Sequence, residues 1–239
     1  MIAKIRLYVE HPLGQGQLVP LIRAQAHYLF GVMRLSVGAE ILVFDGQSGE
    51  WLAEVAEAGK RGGALRVVRQ TRALQMPPDL WLLFAPIKKA RTDFIVEQAT
   101  EMGAVRIVPV QTDFTNSGRI QRDRLQAHVI EAAEQCGATY VPEVAEMIQF
   151  ERLLADWDST RKIYFCDEMR AGAASTTRSG AGPSAILIGP EGGFSDKERR
   201  QLIERQDTEV ISLGPRILRA DTAAVAALTL WQSALGDWR

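Results

Sequence analysis

From Asp79 onward, short apolar runs alternate with stretches of helical periodicity, and that alternation limits the fold more than any other feature of the chain. Residues 80–85, 105–110, 163–166, 185–188 and 210–213 read as strands, and 92–102, 122–136, 195–203 and 222–235 as helices. Strand followed by helix, repeated, predicts an α/β domain with a mostly parallel sheet. The helix ends carry their own signals. Gly103 and Gly137 follow helical runs, and Ser195-Asp196-Lys197-Glu198 has the Ser-x-x-Glu spacing of a capping box.

Residues 1–72 follow a different rule. Extended pieces at 5–9, 41–44, 51–55 and 65–68 are separated by turn chemistry such as Asp45-Gly46 and Arg61-Gly62-Gly63. One stretch, 24–33, is helical, with Leu29, Val32 and Met33 at helical spacing. Residues 70–78, ending in Pro77-Pro78, break both patterns and read as a linker. The expected organisation is a small β-rich domain at 1–72 and an α/β domain at 73–239, which suits 239 residues. Residues 171–183, rich in Ala, Gly, Ser and Thr, read as a surface connection.

Composition excludes several classes. Hydrophobic residues make up 46% and charged residues 24%, with 28 basic against 29 acidic side chains, so neither disorder nor wholesale coating of a polyanion fits the chain. Residues 1–72 carry nine basic and six acidic side chains, about +3, against nineteen and twenty-three in the remainder, about −4. This asymmetry points to an N-terminal part that meets something anionic. Cys136 and Cys166 have no His or second Cys nearby, so neither a disulfide framework nor a metal site is expected. No apolar leader or membrane-length run is present, and the expected home is the cytoplasm.

Familiar catalytic motifs are missing: there is no Walker A loop, no Gly-x-Ser-x-Gly, no His-Glu-x-x-His and no Cys-x-x-Cys. A dinucleotide site is disfavoured, because the strand at 80–85 runs into Pro86-Ile87-Lys88-Lys89 rather than a Gly-x-Gly-x-x-Gly. What the chain does have is two strands that each end in a Gly-Pro loop: Ile188-Gly189-Pro190-Glu191-Gly192-Gly193-Phe194, then Leu213-Gly214-Pro215-Arg216-Ile217-Leu218-Arg219. Glycine lets backbone approach a ligand, proline stiffens the loop, and ligands of open α/β sheets bind at strand carboxyl ends. The two loops together predict one preformed ligand site.

At these residues the chain resembles the RsmE-type 16S rRNA uridine N3-methyltransferases of the SPOUT class. The resemblance spans the whole chain. Its carriers are His27-Tyr28-Leu29 with Met33-Arg34-Leu35-x-Val37-Gly38, then Phe44-Asp45-Gly46, Glu97-Gln98-Ala99-Thr100-Glu101-Met102-Gly103, Glu131-Ala132-Ala133-Glu134-Gln135-Cys136-Gly137, and the two Gly-Pro loops through Thr222-Ala223. Met102, where the family commonly has Leu, and Pro215 are departures that remove no polar group.

The resemblance implies a PUA-like β-barrel that helps hold RNA, a trefoil-knotted domain that binds S-adenosylmethionine, and a homodimer whose sites are completed by the partner. Carried over residue by residue, it places the cofactor against Leu187, Ile188, Gly189, Pro190, Glu191 and Gly192 and against Leu213, Gly214, Ile217, Leu218, Thr222 and Ala223. The substrate implied is 16S rRNA of the small ribosomal subunit, at the uridine numbered 1498. Chemically, Arg219 is the candidate to offset charge developing on a uracil. Glu191 is left with three roles: proton acceptor, neighbour of the sulfonium, or cap of the following helix. Arg6, Arg34, Lys88, Lys89, Arg119 and Arg122 are the candidate RNA contacts. No metal is required. The rival readings are a methyltransferase of the same class acting on another RNA nucleoside and a non-catalytic RNA-binding assembly protein.

Overall fold

The computed structural model describes residues 5–59, 61–170 and 182–238, so positions 171–181 of the low-complexity connection lie outside the described residues. The chain divides into two compact units. One comprises residues up to Met76 together with Ala133–Val141, and the other Pro77–Ala132 together with Pro142 onward.

The first unit is a five-stranded sheet. Strands β1 (Arg6–Tyr8), β2 (Leu18–Leu21), β3 (Glu40–Phe44), β4 (Glu50–Ala58) and β5 (Gly63–Arg72) are ordered β1-β3-β4-β5-β2. The β1–β3 pair is parallel and the rest antiparallel. Helix α1 (Arg23–Ala26) runs into a π-helical turn over His27–Val32 that buries Leu29. Val19, Ile41, Val43, Ala53, Val55, Leu65 and Val67, on alternate positions of their strands, form the core together with Leu29 of the turn. Strand β2 has no counterpart among the sequence-predicted strands, because Pro20 sits inside it. The strand lies at the sheet edge, where a residue without an N–H costs no ladder bond. His27 is exposed, its ring packed over Gly31.

The β3–β4 hairpin turns as its sequence dictates. Asp45 Oδ1 accepts from the Gln47 and Ser48 N–H groups at 2.9 and 2.7 Å. Gly49 has φ 88°, and a Cβ there would collide with the Arg72 carbonyl, so only glycine fits.

A buried carboxylate holds this unit together. Glu50, with 5% of its side chain exposed, accepts from Arg6 Nε and Arg72 Nη2, each at 2.7 Å, and from Thr71 Oγ1 at 2.8 Å. Arg6 also donates to the Ala133 and Ala138 carbonyls at 2.7 and 2.8 Å and lies 4.2 Å over the Phe44 ring. Tyr8 N–H donates to Glu134 Oε1 at 2.7 Å. Residues 133–141 are thereby tied to β1.

The second unit carries an all-parallel sheet. Its elements in order are β6 (Leu80–Phe84), α2 (Lys89–Glu101), β7 (Arg106–Gln111), α3 (Arg122–Cys136), β8 (Glu143–Val144), β9 (Ile148–Gln149), α4 (Phe150–Ala155), β10 (Lys162–Cys166), β11 (Ser184–Ile188), α5 (Asp196–Ile203), β12 (Thr208–Ile211) and α6 (Ala220–Ala234). The sheet runs β12-β10-β11-β6-β7-β8, with β9 beside β7. Central β11 is buried at all five positions, as a strand covered on both faces must be. One face packs Leu83, Phe165 and Leu187 against Phe150, Leu153 and Leu202 of α4 and α5. On the other, α2 and α6 pack together and α6 lies on β11. Trp231 is core, whereas Trp238 is half exposed.

The expected strands and helices of this unit are all present, with α2 starting three residues earlier than its periodicity indicates and α6 two. Strands β8 and β9 and helix α4 have no sequence-predicted counterpart. Two-residue strands are too short to show an alternation, and a six-residue helix too short to show a helical period.

Burial pushes the Glu50 carboxyl up, but hydrogen bonds from Arg72, Arg6 and Thr71 outweigh it and hold the group at about 2, against an ordinary 4.5. A depressed folded value stabilises the native state above the unfolded value, and that stabilisation disappears as pH falls through the folded one. Urea midpoints are therefore expected to drop as pH falls from 4.5 toward 2, and Glu50→Ala to cost about 3 kcal/mol at neutral pH by stranding Arg6. A midpoint at pH 7 equal to that of the unsubstituted protein would remove Glu50 from this role.

Candidate active site

The two Gly-Pro loops do not follow neighbouring strands. Strands β11 and β12 lie on opposite sides of β10, so the chain reverses its lateral direction there, and the loops flank the β10 carboxyl end. This is the topological switch point at which parallel sheets open a crevice.

A cavity of about 410 Å³ occupies the crevice, within the roughly 300–1,000 Å³ of small-molecule sites. Its floor is Cys166, the last residue of β10, with Asp167 and Glu168 after it. One wall is Ile188 to Glu191 with Gly193, the other is Leu213 and Gly214 with Arg216 to Ala220, and Arg91 of α2 and Ala223 of α6 close the ends.

Glycine has a separate job at each position. A Cβ on Gly189 would lie 2.6 Å from the Phe194 ring, which is itself packed edge-on to Phe165 at 5.0 Å between centroids. Gly189 thus lets Phe194 enter the core beneath the loop. Gly193 has φ 70°, and a Cβ there would strike the Glu168 carboxylate. Gly214 has φ 108°, and a Cβ there would meet no protein atom within 4 Å, so its bare backbone borders open cavity.

The charges are arranged in two layers. At the floor, Asp167, with no side-chain exposure, accepts from Arg199 Nη2 at 2.8 Å and from its Nε at 3.2 Å. At the mouth, Arg91 Nη1 donates to Glu191 Oε1 at 2.6 Å and its Nε lies 3.6 Å from Asp221. Arg219 is the N-cap residue of α6, exposed, and among the described residues it forms no ion pair. Burial pushes the Cys166 thiol up, so it stays protonated and is no nucleophile. No group of His, Cys, Asp and Glu among the described residues could hold a metal ion.

Of the expected cofactor residues, Ile188, Gly189, Pro190, Glu191, Leu213, Gly214, Ile217, Leu218 and Ala223 line the cavity together with Arg219. Three do not. The Leu187 side chain faces the core, Gly192 lies against Phe114, and Thr222 is exposed in the first turn of α6. Glu191 does not cap α5, because Ser195 and Glu198 close that helix with a reciprocal capping box.

Among the expected RNA contacts, Arg34, Lys88, Lys89 and Arg119 are exposed. Arg6 belongs to the interior of the first unit, its guanidinium engaged by Glu50 and by the Ala133, Glu134 and Ala138 carbonyls. Arg122 is half-buried and donates to the Val144 carbonyl at 2.8 Å. Arg91, Asp167, Glu168 and Arg216 also line the cavity. The floor residues follow the strand at 163–166 and obey the same carboxyl-end rule as the loops; Arg91 has no local sequence signal.

The RNA methyltransferase domain family matches residues 75–232, which contain every residue of this cavity. The chain belongs to the RNA methyltransferase family. An RNA methyltransferase PUA domain matches residues 21–68, within the five-stranded unit. Ribosomal RNA small subunit methyltransferase E of Rickettsia conorii is 30% identical over 228 residues, 93% of either chain. The structure of the Neisseria gonorrhoeae ribosomal RNA small subunit methyltransferase E bound to S-adenosyl methionine superposes with TM-score 0.88 at 27% identity, covering 98% of this chain and 99% of that one. A Legionella pneumophila protein solved with bound SAM gives 0.87 at 27% identity, over 99% and 100%. This RNA methyltransferase thus pairs a PUA-like domain with a parallel-sheet α/β methyltransferase domain.

Because Gly189 makes room for Phe194, Gly189→Ala is expected to lower stability by about 1–3 kcal/mol through overpacking, read as a shift in the urea midpoint. An unchanged midpoint would show that the ring yields without penalty.

Proposed function

We propose that this methyltransferase transfers the methyl group of S-adenosylmethionine to N3 of a uridine in 16S rRNA of the small ribosomal subunit, the uridine at position 1498. The observation that carries this reading is the switch-point cavity with an unpaired arginine, Arg219, at its edge.

The cavity suits the cofactor on its own terms. Ile188, Leu213, Ile217 and Leu218 offer apolar walls, Gly214 offers bare backbone, and carboxylates stand at floor and mouth. Carboxylates complement a sulfonium or an ammonium. When bound, S-adenosylmethionine supplies an electrophilic methyl group. The chain supplies alignment and electrostatics, since displacement needs the nucleophile held behind that methyl and made reactive.

Uridine N3 is a poor nucleophile while protonated. Arg219 donates to a uracil carbonyl oxygen and stabilises the negative charge that appears as the N3 proton leaves. Glu191 receives that proton. Arg91 fixes its Oε1 at 2.6 Å, and Oε2 has no hydrogen-bond partner among the described residues. Residues 1–72, with their basic excess and exposed Arg34, help hold the RNA. A second copy of the chain completes each site, the α/β domain follows the knotted path of its class, and the enzyme works in the cytoplasm. No helix among the described residues is long and apolar enough to cross a membrane.

The test incubates the protein and S-adenosylmethionine with unmethylated small subunits, followed by nucleoside digestion and mass spectrometry. 3-Methyluridine at one site is expected. A different methylated nucleoside would assign another target, and no product at all would favour a non-catalytic RNA-binding role. Arg219→Ala is expected to lower kcat by about 10²–10³ with cofactor affinity retained; an unchanged kcat would take Arg219 out of the mechanism.

A further inference from the structure

The loop wall at Pro190 and Glu191 has a second side. Behind it lies another cavity, of about 240 Å³, lined by Pro86, Ile87, Lys88, Lys89, Asn116, Ser117, Pro190 and Glu191. Its residues come from three separate segments: the turn after β6, the stretch between β7 and α3, and the first Gly-Pro loop. Pro190 and Glu191 line both cavities, so the two are separated by the thickness of that loop.

The chemistry of this space is that of an anion site. Lys88 and Lys89 are exposed and form no ion pair among the described residues. Asn116 and Ser117 bring neutral hydrogen-bonding groups. The one carboxylate in the lining, Glu191, is already bonded to Arg91, so the two ammonium groups are not neutralised within the cavity. Helix α2 starts at Lys89, and its positive end adds to the same sign. The walls carry no aromatic side chain on which a base could stack, and their unpaired charges are both ammonium groups, which suits a phosphate.

The geometry points to a phosphodiester subsite. On the reading that the first cavity performs methyl transfer, the second holds a backbone phosphate of the RNA strand on the far side of the loop that positions the methyl donor. Lys88 and Lys89 are the principal contacts, with Asn116 and Ser117 as hydrogen-bonding partners. The subsite reads backbone rather than sequence and fixes how far the target uridine reaches past Pro190 toward Arg219.

The experiment measures binding of a fluorescent single-stranded uridine-containing RNA as a function of salt, alongside S-adenosylmethionine affinity. The full chain is compared with the double variant Lys88→Ala/Lys89→Ala and, separately, with Ser117→Asp. Both variants are expected to bind the RNA about ten-fold more weakly, and the double variant to lose roughly 0.7 of the log–log salt slope for each phosphate contact removed. Cofactor affinity is expected to stay within two-fold, which also shows that the variants are folded. An RNA whose phosphates near the target are replaced by neutral methylphosphonates should bind the full chain and the double variant equally. Unchanged affinity and slope in the variants would overturn the subsite, as would a preference of the full chain over the double variant that persists for the neutral backbone. Failure of the methyl-transfer reading shows differently: the full chain would make no 3-methyluridine while the lysine-dependent binding persisted.

Discussion

The second unit is organised by one requirement: a parallel sheet buried on both faces must send every connection back across a face. Strand β11 has no exposed position, so helices have to cover both sides and every strand of the sheet ends at the same edge. Because the chain places β11 to one side of β10 and then β12 to the other, two loops are left standing apart with nothing of their own to fill the gap. The cavity is a consequence of strand order. The side chains in the loops determine what it accepts.

Those side chains act in pairs. Asp167 with Arg199 makes a floor that is charged but satisfied, and Arg91 with Glu191 and Asp221 makes a mouth whose groups hold one another in place. The mouth pairs are partly exposed and add little to stability. Their value is geometric, since Arg91 holds one oxygen of Glu191 in a cavity that is also lined by Arg219, which forms no ion pair among the described residues. In the first unit the roles are reversed. There Glu50 engages two arginines: it draws Arg6 into the interior, whereas Arg72, bonded to the same carboxylate, keeps part of its side chain at the surface.

Much of this was legible in the sequence, for local reasons. The α/β alternation, the helix over 122–136 and the capping box at Ser195 are written in short-range periodicity and capping chemistry. The Gly-Pro loops gave the site because strand carboxyl ends and glycine both point to ligand. What stayed hidden depends on long-range placement. Arg91 meets Glu191 across a hundred positions, and Arg6 meets Ala133 and Ala138 across more. No local pattern distinguishes a basic residue bound for the interior from one bound for solvent, which is why Arg6 and Lys88 looked alike. Gly189 shows the same limit from another direction: its glycine is demanded by Phe194 beneath the loop rather than by space above it.

The buried floor has a bearing on ionic conditions. Asp167 is sealed from water and bonded at both oxygens, so dissolved ions screen its pair with Arg199 very little. Exposed lysines have no such protection. The paired floor and the exposed lysines therefore respond differently to salt: the shape of the floor persists as ionic strength rises, while any attraction of the lysines for an anion weakens.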